Sequence, residues 1–128
     1  MTQTAQDVFN DFGYKLDDVA YSPGVDADAA DQLSFRAPPE GAMMGQDFIL
    51  SVLGAALRLR VSRAASGAEI APVSVSCEMA GPIEPGERVE LVVRIDRKTR
   101  AIAFASADAS SGDGRLLASA TSVFRIIG

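Results

Sequence analysis

The spacing of hydrophobic positions changes character along the chain, and each change marks an element. Val8, Phe9 and Phe12 recur at helical spacing behind a Thr4 to Asp7 capping pattern, and Gly13 stops the run, which predicts a short amphipathic helix. Val19 and Tyr21 then mark one strand and Leu33 and Phe35 a second, with Ser22-Pro23-Gly24 turning between them. Pro38-Pro39-Glu40-Gly41 breaks any regular element. Beyond it Phe48, Ile49, Val52, Leu53, Ala56 and Leu57 sweep out a broad apolar face, and uncharged Leu50, Gly54 and Ala55 fill much of the rest. A helix apolar on nearly every side is one buried at the heart of a domain. Arg58, Arg60 and Arg63 suit the negative end of its dipole, and Gly67 marks its exit. Gly54 predicts close packing of this helix on a sheet, because an interior glycine otherwise costs about 1 kcal/mol relative to alanine.

From Pro72 the period becomes two. Val73, Val75, Cys77 and Met79 form the apolar side of one strand, and Pro82 to Gly86 make a turn. Val89, Leu91, Val93 and Ile95 form the next strand, with Arg88, Glu90 and Arg94 on its other face. A tight connection at Asp96 to Thr99 leads into the alternation of Ile102, Phe104 and Ser106 with Ala101, Ala103 and Ala105. Ser111-Gly112-Asp113-Gly114 turns again, and Leu116 to Ile127 closes the chain as a long strand. The order predicted is a short helix, two strands, a long central helix and four strands in a meander, an α+β layout with the helix against one sheet face.

With 128 residues, no internal repeat and no linker, the expectation is a single domain over residues 1–128. A formal net charge of −5 and no run of lysines or arginines argue against nucleic acid as a partner. The stretch from Asp47 to Arg58 is too short to span a bilayer, and the first residues lack a secretory pattern, so no membrane and a cytoplasmic location are expected. The single Cys77, set in an apolar alternation, reads as a small buried hydrophobe rather than a nucleophile.

Three stretches carry a resemblance to a known family. Gly41-Ala42-Met43-Met44-Gly45-Gln46 leads into the apolar helix, Pro72-Val73-Ser74-Val75-Ser76-Cys77-Glu78-Met79 precedes Pro82 and Pro85-Gly86, and Gly114 precedes Leu117-Ala118-Ser119-Ala120 and Phe124. Over about residues 30 to 127 the chain resembles the hot-dog-fold thioesterases of the phenylacetate-degradation type. The resemblance implies an antiparallel sheet wrapped around one long central helix, a homodimer or homotetramer with a site at the dimer interface, and an acyl-CoA, aromatic acyl groups included, as ligand. Coenzyme A enters as part of the substrate, with no other cofactor and no metal expected. The chain departs from the family in two respects: it has no histidine, so Met44 or Met43 stands at the loop histidine, and the helix position where many relatives carry an acid falls on Leu53 or Val52.

Thioester hydrolysis needs a carboxylate that activates water or attacks the carbonyl, and donors for the oxyanion. Backbone amides of Gly45, Gln46 and Asp47 at a helix N-terminus supply donors, and Gln46 is placed to orient a water or hold a carbonyl. Asp47 is the one acid within the helix pattern; the same residue is also accounted for as a helix-terminal carboxylate favoured by the dipole. Ser74 lies where relatives place Ser or Thr facing substrate, or is a hydroxyl on the polar face of a strand. Met43 and Met44 are candidates for an acyl pocket or plain core filler. Arg97, Lys98 and Arg100 gather at a hairpin tip that either meets the phosphates of coenzyme A or is a solvated turn. A catalytically inactive relative that binds an acyl ligand or a protein partner in the same groove is the rival reading, and a hydratase is disfavoured by the missing histidine.

Overall fold

A computed structural model describes residues 17–24, 29–37 and 45–127, with the side chains of 17 and 45–47 outside that description. The helix expected near Thr4, the break at Pro38 to Gly41 and the candidates Met43 and Met44 lie outside the described residues.

Strands β1 (Asp17–Ser22) and β2 (Asp31–Arg36) precede helix α1 (Gly45–Ala64), and β3 (Glu69–Met79), β4 (Arg88–Lys98), β5 (Ile102–Ser111) and β6 (Leu116–Ile127) follow it. All pair antiparallel in one sheet of order β1-β2-β4-β5-β6-β3. The predicted meander therefore holds only for β4, β5 and β6. After α1 the chain enters the far edge of the sheet as β3 beside β6, then crosses to β4 beside β2. Gly67, with φ of 85°, follows the end of α1, and Gly86 and Gly114, with φ of 74° and 90°, allow the turns before β4 and β6.

The core lies between α1 and one face of the sheet. Leu33 and Phe35 of β2, Val89, Leu91 and Val93 of β4, and Leu117, Ala120 and Phe124 of β6 meet Phe48, Val52, Leu53 and Leu57 of the helix. The Phe35 and Phe48 rings meet edge to face with centroids 6.0 Å apart. On β5 the buried hydrophobic positions are Ala103, Ala105, Ala107 and Ala109, so small side chains face the bulky residues of the helix. Alternation on β4 and the assignment of Leu33 and Phe35 to the core both match the sequence expectation.

Two other expectations are corrected. The helix is not sealed all round: Leu50, Gly54, Arg58 and Ser62, each four residues from the next, form with Ser51 a stripe that stays partly open. Gly54 lies on that stripe, and a Cβ there would meet no atom within 4 Å, so close packing on the sheet is not why a glycine stands there. Gly54→Ala is expected to stabilise the chain by about 1 kcal/mol through helix propensity alone. A lower urea midpoint in that variant would mean that another surface packs against the stripe.

The second correction concerns β3. Val75, Cys77 and Met79 do face the helix side, but on the edge strand β3 they are only partly buried. Val73 is 60% exposed, Val75 38% and Met79 36%, and Cys77 is only half-buried. A bulge between Pro72 and Ser74 moreover separates Val73 from the alternation that follows it.

At the opposite end of the helix, Asp31 is fully buried. Its carboxylate accepts a close hydrogen bond from Arg63, one of 2.7 Å from the Gly24 amide and one of 3.2 Å from the Tyr21 hydroxyl, and it lies 3.7 Å from Arg60 Nε. Arg63 also donates to the Gly24 carbonyl at 2.8 Å. The cations near the helix end thus tie α1 to the β1–β2 corner, which is more than the dipole argument required of them. Gly24 is needed there, since a Cβ would sit 2.3 Å from the Ala29 carbonyl oxygen. Burial, followed by the Asp31 charge, raises the pKa of the Tyr21 phenol, which stays a protonated donor.

Candidate functional site

The sequence candidates fall into three places. Gly45, Gln46 and Asp47 form the first described turn of α1. Asp47 is the only acidic residue of that helix, and the next residues, Phe48 and Ile49, are locked in the core. Val52 and Leu53, where the resemblance places the family's acid, are both fully buried among the core residues.

Ser74 and Arg97 come together on the sheet face away from the helix, 23 residues apart in sequence but joined by one cross-strand row. In that row Ser74 stands opposite Val123, Val123 opposite Phe104, and Phe104 opposite Arg97. With Asp96 and Thr121 they line a cleft of about 460 Å³. Lys98 and Arg100 are exposed at the β4–β5 hairpin, where Thr99 caps the turn by accepting the Ile102 amide at 3.1 Å. They do not line that cleft. The partly exposed Phe104 was not singled out from sequence, because the Ile102-to-Ser106 alternation does not say which set faces the helix; the four buried alanines of β5 settle it.

Two bulges build the row. One, between Ile95 and Arg97, sets Arg97 rather than Asp96 opposite Phe104; the other, between Pro72 and Ser74, sets Ser74 rather than Val73 opposite Val123. The first turns Arg97 to the outer face, which strict alternation with Ile95 would have sent inward; the second interrupts the alternation at Val73, while Ser74 faces outward because its neighbour Val75 faces the helix. Beside the row, Asp96 accepts from Ser106 at 2.9 Å and lies 3.5 Å from Arg94, which reaches Asp108 at 3.4 Å. Cys77 has its thiol pKa raised, first by burial and then by Glu78, so the protonated form prevails at neutral pH, as expected of a non-nucleophile. Among the described residues no cluster of acids and cysteine is placed to hold a metal, and no helix is long and apolar enough to cross a membrane.

A family model described as the acyl-CoA thioesterase N-terminal domain matches residues 46–125. The chain belongs to that family. No curated protein matches this thioesterase-family chain significantly. Solved structures share its fold. The phenylacetic acid degradation protein PaaI of Thermus thermophilus is 14% identical, with a TM-score of 0.72 over 85% of this chain and 93% of that one. PaaI of Escherichia coli, from the phenylacetic acid degradation operon, is 8% identical, with a TM-score of 0.68 over 77% and 73%. A hypothetical thioesterase of Streptococcus pneumoniae, solved with coenzyme A, is 10% identical, with a TM-score of 0.70 over 94% and 97%. The thioesterase-family chain thus has the hot-dog fold of PaaI-like proteins, one helix on a six-stranded antiparallel sheet.

Proposed function

We propose that the chain hydrolyses an acyl-CoA thioester at the Gly45 end of α1, in a site completed by a second copy. The observation that carries this reading is the segregation of the helix: its apolar residues enter the core, while its single acid, Asp47, stands in the first described turn beside Gly45 and Gln46. Backbone amides there stabilise the oxyanion. Asp47 removes a proton from water, the hydroxide adds to the carbonyl carbon, and collapse of the tetrahedral intermediate breaks the C–S bond. The thiolate of coenzyme A leaves without needing a strong acid. Met43 and Met44 are the candidates for the acyl end, and Arg97, Lys98 and Arg100 are those for the phosphates.

A homodimer is part of this proposal. Exposed Val73, Val75 and Met79 on an unpaired edge strand offer both backbone groups and apolar area to a second β3. Val75→Glu is expected to shift the protein from two chains to one in sedimentation equilibrium, with its helix signal retained. A wild-type monomer at micromolar concentration would remove the shared site.

One observation favours a second reading, binding without turnover. The positions corresponding to the family's acid are Val52 or Leu53, buried and without charge, and no histidine is present. Purified protein incubated with short, long and aromatic acyl-CoAs and a thiol-trapping reagent decides between them. Release of thiol above the spontaneous rate supports hydrolysis; thermal stabilisation by the same compounds without release supports binding alone.

A further inference from the structure

The Gly45 end of α1 backs onto two aromatic rings. Side chains on a helix lean toward its N-terminus, so Phe48 covers the core side of the turn that begins at Gly45. Its ring meets Phe35 edge to face, and Phe35 stands opposite Val89 in the β2–β4 ladder. Beyond Phe35 the backbone is pinned, the Ala37 amide donating to the Glu87 carbonyl at 2.8 Å. Phe35, Ala37, Phe48 and Val89 are all buried, and so are Ile49 and Val52 next along the helix. On the other side of the same turns Leu50 is exposed and Ser51 half-buried. A packed interior of this kind admits an alkyl chain only where a side chain is removed.

We infer that Phe48, backed by Phe35, sets the length of acyl group the chain accepts, and that straight acyl chains are limited to about four carbons, the span of one helical turn. This limit rests on the reading that seats the thioester carbonyl at the Gly45 amides. From there the first carbons of the acyl group reach the Phe48 ring, which touches the end of the acyl group and not the reacting atoms. A longer chain must part the two rings or run on into water. Each methylene that is buried adds about fourfold to affinity, whereas one left in water adds nothing. The chain length at which affinity stops rising therefore reports where the wall stands.

The test is calorimetric titration with S-ethyl, S-butyl, S-octyl and S-dodecyl thioethers of coenzyme A, which have no carbonyl and bind without turnover. For the wild type, affinity is expected to rise about tenfold from ethyl to butyl and to stay within about twofold from butyl to dodecyl. Phe48→Ala opens a cavity at the head of the helix and should make octyl bind at least about tenfold more tightly than butyl. Phe48→Leu, which removes less of the core, should move the limit the same way by a smaller amount, and it decides the matter if the alanine variant does not fold. Leu57→Ala, a cavity deeper in the core, should leave the limit at butyl. The limit is overturned if wild-type affinity climbs steadily to dodecyl, which would put the acyl chain against the second copy. It is also overturned if neither Phe48 variant moves it, if Leu57→Ala moves it as far, or if no thioether binds more tightly than coenzyme A itself. Failure of hydrolysis alone reads differently: no thiol is released from butyryl-CoA while the thioether limit at butyl persists, which upholds the role of Phe48.

Discussion

Asp31→Ala is expected to cost about 3–5 kcal/mol, the scale for removing one partner of a buried ion pair. Of the groups around this carboxylate, Arg60 decides the magnitude. Its side chain is 4% exposed and its Nε lies 3.7 Å from Asp31, so the substitution takes a counter-charge from a guanidinium held away from water. Arg63, one-third exposed, can turn to solvent and loses less. The same substitution releases the Gly24 amide and the Tyr21 hydroxyl, so the β1–β2 corner loses its tie to the helix. Against a typical domain stability of about 5–15 kcal/mol, much of the variant should be unfolded at modest urea concentrations. Arg36→Ala is the control, because its ion pair with Asp18 is half-exposed on both sides and such pairs are worth about 0–1 kcal/mol. Equal urea midpoints for the two variants would show that the buried cluster holds nothing.

Asp47→Asn is expected to lower thioester hydrolysis about a hundredfold or more while leaving the urea midpoint nearly unchanged. A positioned base contributes about 10²–10⁴-fold, and asparagine keeps the size and the capping ability of aspartate at a helix start. The two readouts separate the roles. A drop in stability with activity retained would make Asp47 a capping residue only and move the base to Glu40, which lies outside the described residues, or to Glu69 or Asp108. Of these, Asp108 accepts a hydrogen bond from Ser119 at 2.8 Å on the outer face, and Glu69 begins the exposed edge strand. Neither is on α1, so activity dependent on either would relocate the reaction.

The fold was legible because its strongest signals are periodic. Val89, Leu91 and Val93 face the core as their alternation requires, and the apolar run from Phe48 to Leu57 forms the one central helix. Strand order was not legible: nothing local in Pro72 to Met79 says that the strand after the helix pairs with the last strand rather than the next. Bulges were hidden for a related reason. An extra residue at Val73 or Asp96 leaves the composition of a strand unchanged and alters only what stands opposite it. The outer cleft therefore could not be assembled from sequence, although Ser74 and Arg97 had each been singled out. Gly54 misled because helix geometry alone does not tell which side a small residue faces, and here it faces outward.

The two borders of the sheet differ, and the difference governs how copies of the chain can add to one another. At the β3 border, eleven residues from Glu69 to Met79 offer a long row with no strand beside it among the described residues. At the β1 border the strand has six residues, a bulge between Asp17 and Ala20, and Asp18 in the left-handed region at φ of 55°. A ribbon of copies would need every molecule to present two good borders, one to receive a neighbour and one to be received. In the proposed dimer the good border meets only another like itself, and that match is spent once two chains have joined. Growth into fibres would then stop at the first step, with β1 as the terminus at both ends.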